Sequence, residues 1–282
     1  MWIWMTLGSA LLLGLYDIAK KKAVGRNGVL YVLLVATAIS TLFMSPFLSP
    51  GAPADHLRLL FKAVLVTTSW ISGLAAMKIL PLTTASTLKA SRPFLVVIFS
   101  IILFGEKLNL LQWAGVAFAL TAMVLLSHSS RKEGIIWVKN RGVAYMALSI
   151  LTGAASALYD KHIMAGMQPL FVQSWANLYV TALLAVCVAV KCLREGKERE
   201  KFRWDWTLVL IAVLITVADA LYFFALKQDG ALLAVVSLMR RSSVIFTFLG
   251  GWLLFREGNI RSKAFDLAVL LAGMVLLTLG SS

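Results

Sequence analysis

From Ala231 to Phe255 the chain is apolar over a length that crosses a bilayer, yet Arg240 and Arg241 stand side by side near its middle. Roughly 20 apolar residues span the hydrocarbon core. Each guanidinium at mid-depth opposes insertion by about 2.5–3.5 kcal/mol. Such a pair requires a wet cavity, a carboxylate or an anionic ligand. A second apolar run, Leu82–Phe104, carries Lys89 and Arg92 near its centre. When Glu106 is laid on Glu257, Ser91 falls on Ser242 and Lys89 on Arg240, so the two runs read as copies of one helix. Pro93 follows Arg92 directly and predicts a kink beside the charges.

The remaining sequence is that of a membrane protein: of 282 residues, 60% are hydrophobic and 14% charged. The net charge of +14 comes mostly from short loops between apolar runs, where it serves topology, so no nucleic-acid partner is expected. Cys187 and Cys192 have neither zinc nor redox spacing and read as small apolar side chains. No metal or cofactor is expected. No zinc-peptidase, nucleophile-elbow or phosphate-loop motif points to an enzyme. Met1–Ala19 lacks the basic start of a cleavable signal, its cationic cluster Lys20-Lys21-Lys22 following the apolar run, so it reads as a first span.

Ten spans follow, near 2–19, 28–48, 58–80, 82–104, 110–127, 143–160, 170–190, 207–226, 231–255 and 264–280. The fold class is all-α membrane protein. Residues 1–127 and 143–282 make two five-helix repeats joined by a linker, 128–142. Besides the basic helices, Ala10-x-x-x-Gly14-Leu15-Tyr16-Asp17 recurs as Gly153-x-x-x-Ala157-Leu158-Tyr159-Asp160. Small residues four apart let helices approach closely in lipid. Five spans per half invert one half relative to the other, the plan of many secondary transporters. Lysines and arginines number 18 in the odd-numbered loops against five in the even-numbered. The positive-inside rule then predicts cytoplasmic odd loops and both termini outside. A bacterial or archaeal cytoplasmic membrane is the expected location.

These features resemble the ten-helix branch of the drug/metabolite transporter superfamily, the Phe104-Gly105-Glu106-Lys107-Leu108 turn and its looser copy Phe255-Arg256-Glu257-Gly258 being similar to that family's repeat ending. Lys89-Ala90-x-x-Pro93-Phe94 and Met239-Arg240-Arg241 further resemble the plastid sugar-phosphate translocators. That resemblance implies that Lys89, Arg240 and Arg241 hold a phosphate group. It departs from the pattern at Arg240, where those proteins carry lysine, and at Arg92, where they tend to carry an acid.

Arginine offers a planar fork that matches phosphate or carboxylate oxygens, and lysine a mobile point charge. Substrate contacts are therefore expected from Lys89, Arg92, Arg240 and Arg241, with Tyr222 and Trp70 as cavity-lining candidates. Asp219, Asp17, Asp160, Tyr16 and Tyr159 are candidates for coupling or gating. Asp17 also has Lys20 and Lys21 one turn on, which predicts a helix-end ion pair, and Asp219 could neutralise a spare cation. Gln173 and Trp175 line a cavity or pack. Glu106 and Glu257 read as turn elements. The function expected is secondary-active transport of a small anionic metabolite, an organophosphate being favoured, by alternating access and possible exchange. Two rivals are a flippase for a phosphate-bearing lipid and an exporter of neutral or cationic compounds. Membrane lipid is the other expected partner.

Overall fold

A computed structural model describes residues 2–92, 95, 109–131, 135–164, 167–195, 202–226, 240 and 242–280. Among these residues every regular element is helical. In chain order the α-helices are α1 (Trp2–Val24), α2 (Val29–Met44), α3 (Pro53–Ile79), α4 (Leu82–Ala90), α5 (Leu110–Arg131), α6 (Arg141–Met164), α7 (Pro169–Glu195), α8 (Trp206–Leu226), α9 (Ser243–Phe255) and α10 (Ile260–Leu279). Five helical stretches are long and apolar enough to cross a membrane, namely Trp2–Val24, Val29–Phe47, Pro53–Ile79, Leu110–Ser130 and Leu170–Arg194. Trp206–Tyr222 and Ser243–Phe255 are shorter apolar helices.

Several boundaries differ from those expected. α1 runs five residues past Ala19 and takes Lys20, Lys21 and Lys22 into the helix. Pro53, expected in a loop, opens α3 at its first turn, where a missing N–H costs nothing. α5 continues into the expected linker as far as Arg131. The kink expected at Pro93, the Phe104–Leu108 turn and Arg241 lie outside the described residues. The break that is described comes at Ser91, a turn residue whose N–H and hydroxyl both bond the Leu88 carbonyl. Ser242 is likewise a turn residue, placed between Arg240 and the first residue of α9. The two serines that align between the halves therefore both stand at helix breaks beside the cations. Irregular backbone at membrane depth is tolerated where it is buried in protein or lines a cavity.

The most extensive helix pairs largely repeat when each helix is replaced by the one five places along, although α4 on α10 and α2 on α3 have no counterpart of like extent among the described residues. α1 packs on α8, and α6 on α3; α2 on α8, and α7 on α3; α1 on α9, and α6 on α4. The pairs α2/α7, α4/α9 and α5/α10 map onto themselves. Small residues make the closest approaches. A Cβ at Gly14 would stand 2.4 Å from the Phe246 Cβ, seating α9 on α1. Ser9 of α1 donates to the Ala218 carbonyl of α8 at 2.7 Å. Ser69 of α3 and Ser149 of α6 each donate to the other's carbonyl, at 2.8 and 2.6 Å. Gly273 meets the Gly115 carbonyl where α10 crosses α5, a Cβ there lying 2.8 Å away.

Contacts among the connections sort into two sets. One joins those after the odd-numbered helices: Arg26 to Asp205 at 3.0 Å, Asn27 to the Arg203 carbonyl at 3.0 Å, and Asn259 to the Ser129 carbonyl at 2.6 Å. The other lies at the opposite helix ends: Trp175 and Tyr179 of α7 reach the Ser49 carbonyl and His56 of α3, both at 2.9 Å, and Asn109 reaches the Gly280 carbonyl at 2.5 Å. Asp205 caps α8 in the first set, accepting from the Thr207 N–H at 2.9 Å and its hydroxyl at 2.6 Å. Those two bonds, with Arg26 adding to them, hold its carboxyl below the usual range. Its stabilisation is thus present above the ordinary carboxylate pKa and is lost as pH falls through the depressed one. Asp205→Ala should cost about 1 kcal/mol by thermal unfolding near neutral pH, a difference that should disappear below that depressed pKa.

Candidate functional site

The site is assembled from α1, α2, α3, α7 and α8, with the cations arriving from α4 and from the residues before α9. Tyr16 and Lys20 project from one face of α1, being four apart. With Trp70 of α3, Asn177 of α7, Ile215 and Asp219 of α8, and Thr37 and Ser40 of α2, they enclose a cavity of about 60 Å³. That volume admits a few waters but no metabolite, so this conformation is closed around its centre. The lining combines an aromatic pair with amide, hydroxyl and charged groups, which suits an organic solute better than a bare ion. Among the described residues no cluster of three His, Cys, Asp or Glu side chains could hold a metal.

Two ion pairs dominate the charge of the site. Lys89 Nζ lies 2.9 and 2.8 Å from the two carboxylate oxygens of Asp17. Arg240 donates to the Asp219 carboxylate, and its guanidinium lies over the Tyr222 ring, 4.3 Å from the centroid. The helix-end pair expected between Asp17 and Lys20 or Lys21 does not form. Lys20 turns to the Tyr16 hydroxyl at 3.3 Å and lies over that ring, while Lys21 caps the Met77 and Leu80 carbonyls at the end of α3. The Lys89 ammonium spans both Asp17 oxygens, and Lys20 is held instead by the hydroxyl and ring of Tyr16. Asp219 does neutralise a cation, and that cation is Arg240. Lys89 and Arg240 thus both reach the region around Tyr16, each with an acid of its own.

Arg92 is set apart. Its terminal nitrogen reaches the Ser69 hydroxyl at 3.4 Å, while its Nε is buried without an acceptor. Gly153 makes room for it, since a Cβ there would come within 2.3 Å of the guanidinium. The repeated small residue of α6 therefore receives the basic helix α4, as Gly14 of α1 receives α9.

Other candidates lie elsewhere. Tyr159 packs edge-on against Phe61, ring centres 5.1 Å apart, in an apolar cluster with Leu59, Ile163 and Val172. Tyr159 therefore packs in that apolar cluster and is not among the residues that line the central cavity. Trp175 belongs to an aromatic group with His56 and Tyr179 at the opposite end of α7 from Asp205's face. Asp160 lies on α6, its side chain outside the described residues, and Arg241 lies outside them altogether.

Two residues were not assigned to the site from sequence. Lys20 was counted among the topology charges, and Glu257 was read as a turn element. Glu257 does stand in the α9–α10 turn, and from there it accepts from the Leu82 N–H, from the Thr83 N–H at 2.8 Å and from the Thr83 hydroxyl at 2.6 Å, capping the start of α4. Lys263, wholly buried, donates to the same hydroxyl at 3.0 Å. Carboxylates at a helix N-terminus meet unbonded N–H groups and the positive end of the helix dipole.

A family model described as the EamA-like transporter family matches residues 1–128 and again residues 140–279. A protein of Rhizobium johnstonii called riboflavin transporter is 30% identical over 209 residues, which cover 72% of this chain and 63% of that protein. The match thus spans less than two thirds of that relative's length. A solved crystal structure shares the fold over 98% of this chain and 95% of its own, with a TM-score of 0.64 and 18% sequence identity.

Proposed function

The chain belongs to the EamA-like transporter family, within the drug/metabolite transporter superfamily, and on that premise we propose a secondary-active transporter that moves a small organic anion by alternating access. The premise makes it an integral membrane protein with a small-molecule substrate. The two faces defined by the connections support ten crossings, because each described helix with contacts at both ends runs from one set to the other. The five-place pattern of helix packing supports two inverted halves, 1–127 and 143–282, joined by 128–142. The cationic odd loops support a cytoplasmic side for the Arg26–Asp205 face and termini outside.

One observation carries the charge of the solute. Lys20 lines the central cavity together with Asp219, while the carboxylates of Asp17 and Asp219 are already taken by Lys89 and Arg240. A membrane-interior cluster of that composition attracts an acidic group and repels a cation. The organophosphate reading rests on that excess and on the short motifs shared with plastid sugar-phosphate translocators. A second reading, a neutral planar solute, is favoured by Trp70 and Tyr16 in the cavity wall and by the relative called riboflavin transporter.

Counterflow into proteoliposomes tests both. Vesicles loaded with glycerol 3-phosphate or with riboflavin should accumulate trace label of the transported solute against its gradient. Accumulation of glycerol 3-phosphate supports the anionic reading, and of riboflavin alone the neutral one. A failure of a wide metabolite panel to accumulate in any loading would end the transporter assignment for this chain.

A further inference from the structure

Three consecutive lysines close the first helix, and each meets a different fate. Lys22 is exposed, and Lys21 caps the Met77 and Leu80 carbonyls at the end of α3. Lys20 is only 6% exposed and lines the central cavity. Its hydrogen-bond partner among the described residues is the Tyr16 hydroxyl at 3.3 Å, and its ammonium lies 4.5 Å from the centre of that ring. Neither group carries charge. Asp219 lines the same cavity, but Arg240 takes its carboxylate, and Lys89 takes that of Asp17. The cavity wall therefore holds one buried ammonium in excess, and a buried charge without a counter-charge is costly.

Other donors face the same space. Trp70 of α3 and Asn177 of α7 line the cavity, and among the described residues neither the indole N–H nor the amide bonds the rest of the chain. The hydroxyls of Thr37 and Ser40 are already used, on the Leu33 carbonyl and on Thr216. An ammonium, an amide and an indole N–H thus reach one cavity from three helices. α1 and α3 come from one repeat and α7 from the other. The volume of about 60 Å³ is the room of one oxyanion group rather than of a whole metabolite.

We propose that Lys20, Asn177 and Trp70 form the seat for the acidic head of the solute, a single oxyanion group such as a carboxylate or a phosphate ester. The proposal rests on the reading of the chain as a carrier of organic anions. It moves the anion contact from the mid-membrane cations to the later turns of α1. Lys20 supplies the charge, and the two neutral donors bond oxygens that the ammonium leaves open. Lys89 and Arg240 neutralise the acids of the site and do not hold the ligand.

The head group alone serves as probe, so that the body of the solute does not enter. Full-length protein in lipid nanodiscs, at constant ionic strength, is titrated with trifluoroacetate and followed by broadening of its fluorine resonance. Acetate and methyl phosphate should displace the probe, and acetamide, which has the shape of acetate without its charge, should not. Lys20→Gln should weaken probe binding about tenfold or more. Lys139→Gln, which removes an exposed cation from the linker, should leave it unchanged. Asn177→Asp puts a competing carboxylate on the cavity wall and should also cost about tenfold or more. It carries the test should Lys20→Gln fail to elute as a folded protein. Displacement by acetate alone narrows the head to a carboxylate, and by methyl phosphate alone to a phosphate ester. Displacement by acetamide as readily as by acetate, no saturable probe binding, or wild-type affinity in both Lys20→Gln and Asn177→Asp overturns the seat. Probe binding that depends on Lys20, without counterflow of any solute, would spare the seat and sink the transport reading. Counterflow of an organic anion at the wild-type rate in Lys20→Gln would do the reverse.

Discussion

Asp17→Asn should lower the stability of the folded protein by about 3–5 kcal/mol, the range for breaking a buried ion pair by removing one partner. The substitution preserves volume, so packing on α1 is unchanged. It removes the carboxylate that holds Lys89 through contacts of 2.9 and 2.8 Å, and so leaves that ammonium without its acid. The discriminating variant is Asp17→Asn combined with Lys89→Met, in which the pair is gone but no new net charge appears. Double variants of this type recover much of the loss. Thermal unfolding of the two single variants and the double variant closes a cycle. If the double variant is as unstable as the sum of the singles, the pair carries no coupling and the electrostatic account of α1 is wrong.

Glu257→Ala should cost about 2–4 kcal/mol, since hydrogen bonds to a charged acceptor contribute roughly 1.5–3 kcal/mol and the donors left behind are desolvated. Its carboxylate bonds two backbone N–H groups of the first turn of α4 and the Thr83 hydroxyl, which buried Lys263 also uses. Loss of the carboxylate therefore strands the two N–H groups at the start of α4 and frees the Thr83 hydroxyl proton. Glu257→Gln retains an acceptor without the charge and should cost about half as much. Hydrogen exchange gives the local reading: amides in 79–90 should exchange faster in Glu257→Ala while those of 60–75 stay as they were. Unchanged exchange in the first segment would show that the cap does not hold α4.

Much of the architecture was legible because membrane insertion makes hydropathy a strong signal. Apolar runs of bilayer length separated by short polar connections placed the helices, and recurrence of Leu-Tyr-Asp behind two small residues four apart exposed the repeat. Ser91 and Ser242, aligned from sequence only as equivalent positions, are both turn residues, a feature that their alignment did not announce. The partners of the charges were not legible. Asp17 has cations one turn away in sequence, but its partner is 72 residues distant. Glu257 reaches residues 174 and 175 positions before it. Such pairings follow from which helices touch, and composition carries no record of that. Lys20 was hidden for a different reason. It stands first in a run of three lysines after an apolar stretch, and the continuation of α1 to Val24 takes it inside.

The serine exchange between α3 and α6, and the Ser9 contact between α1 and α8, tie helices from opposite halves more closely than most pairs within a half. A half of this chain is therefore a unit of repetition but not of mechanics. On the alternating-access mechanism proposed above, α1 is expected to travel with α8 and α3 with α6, so that each moving body would combine helices of both repeats.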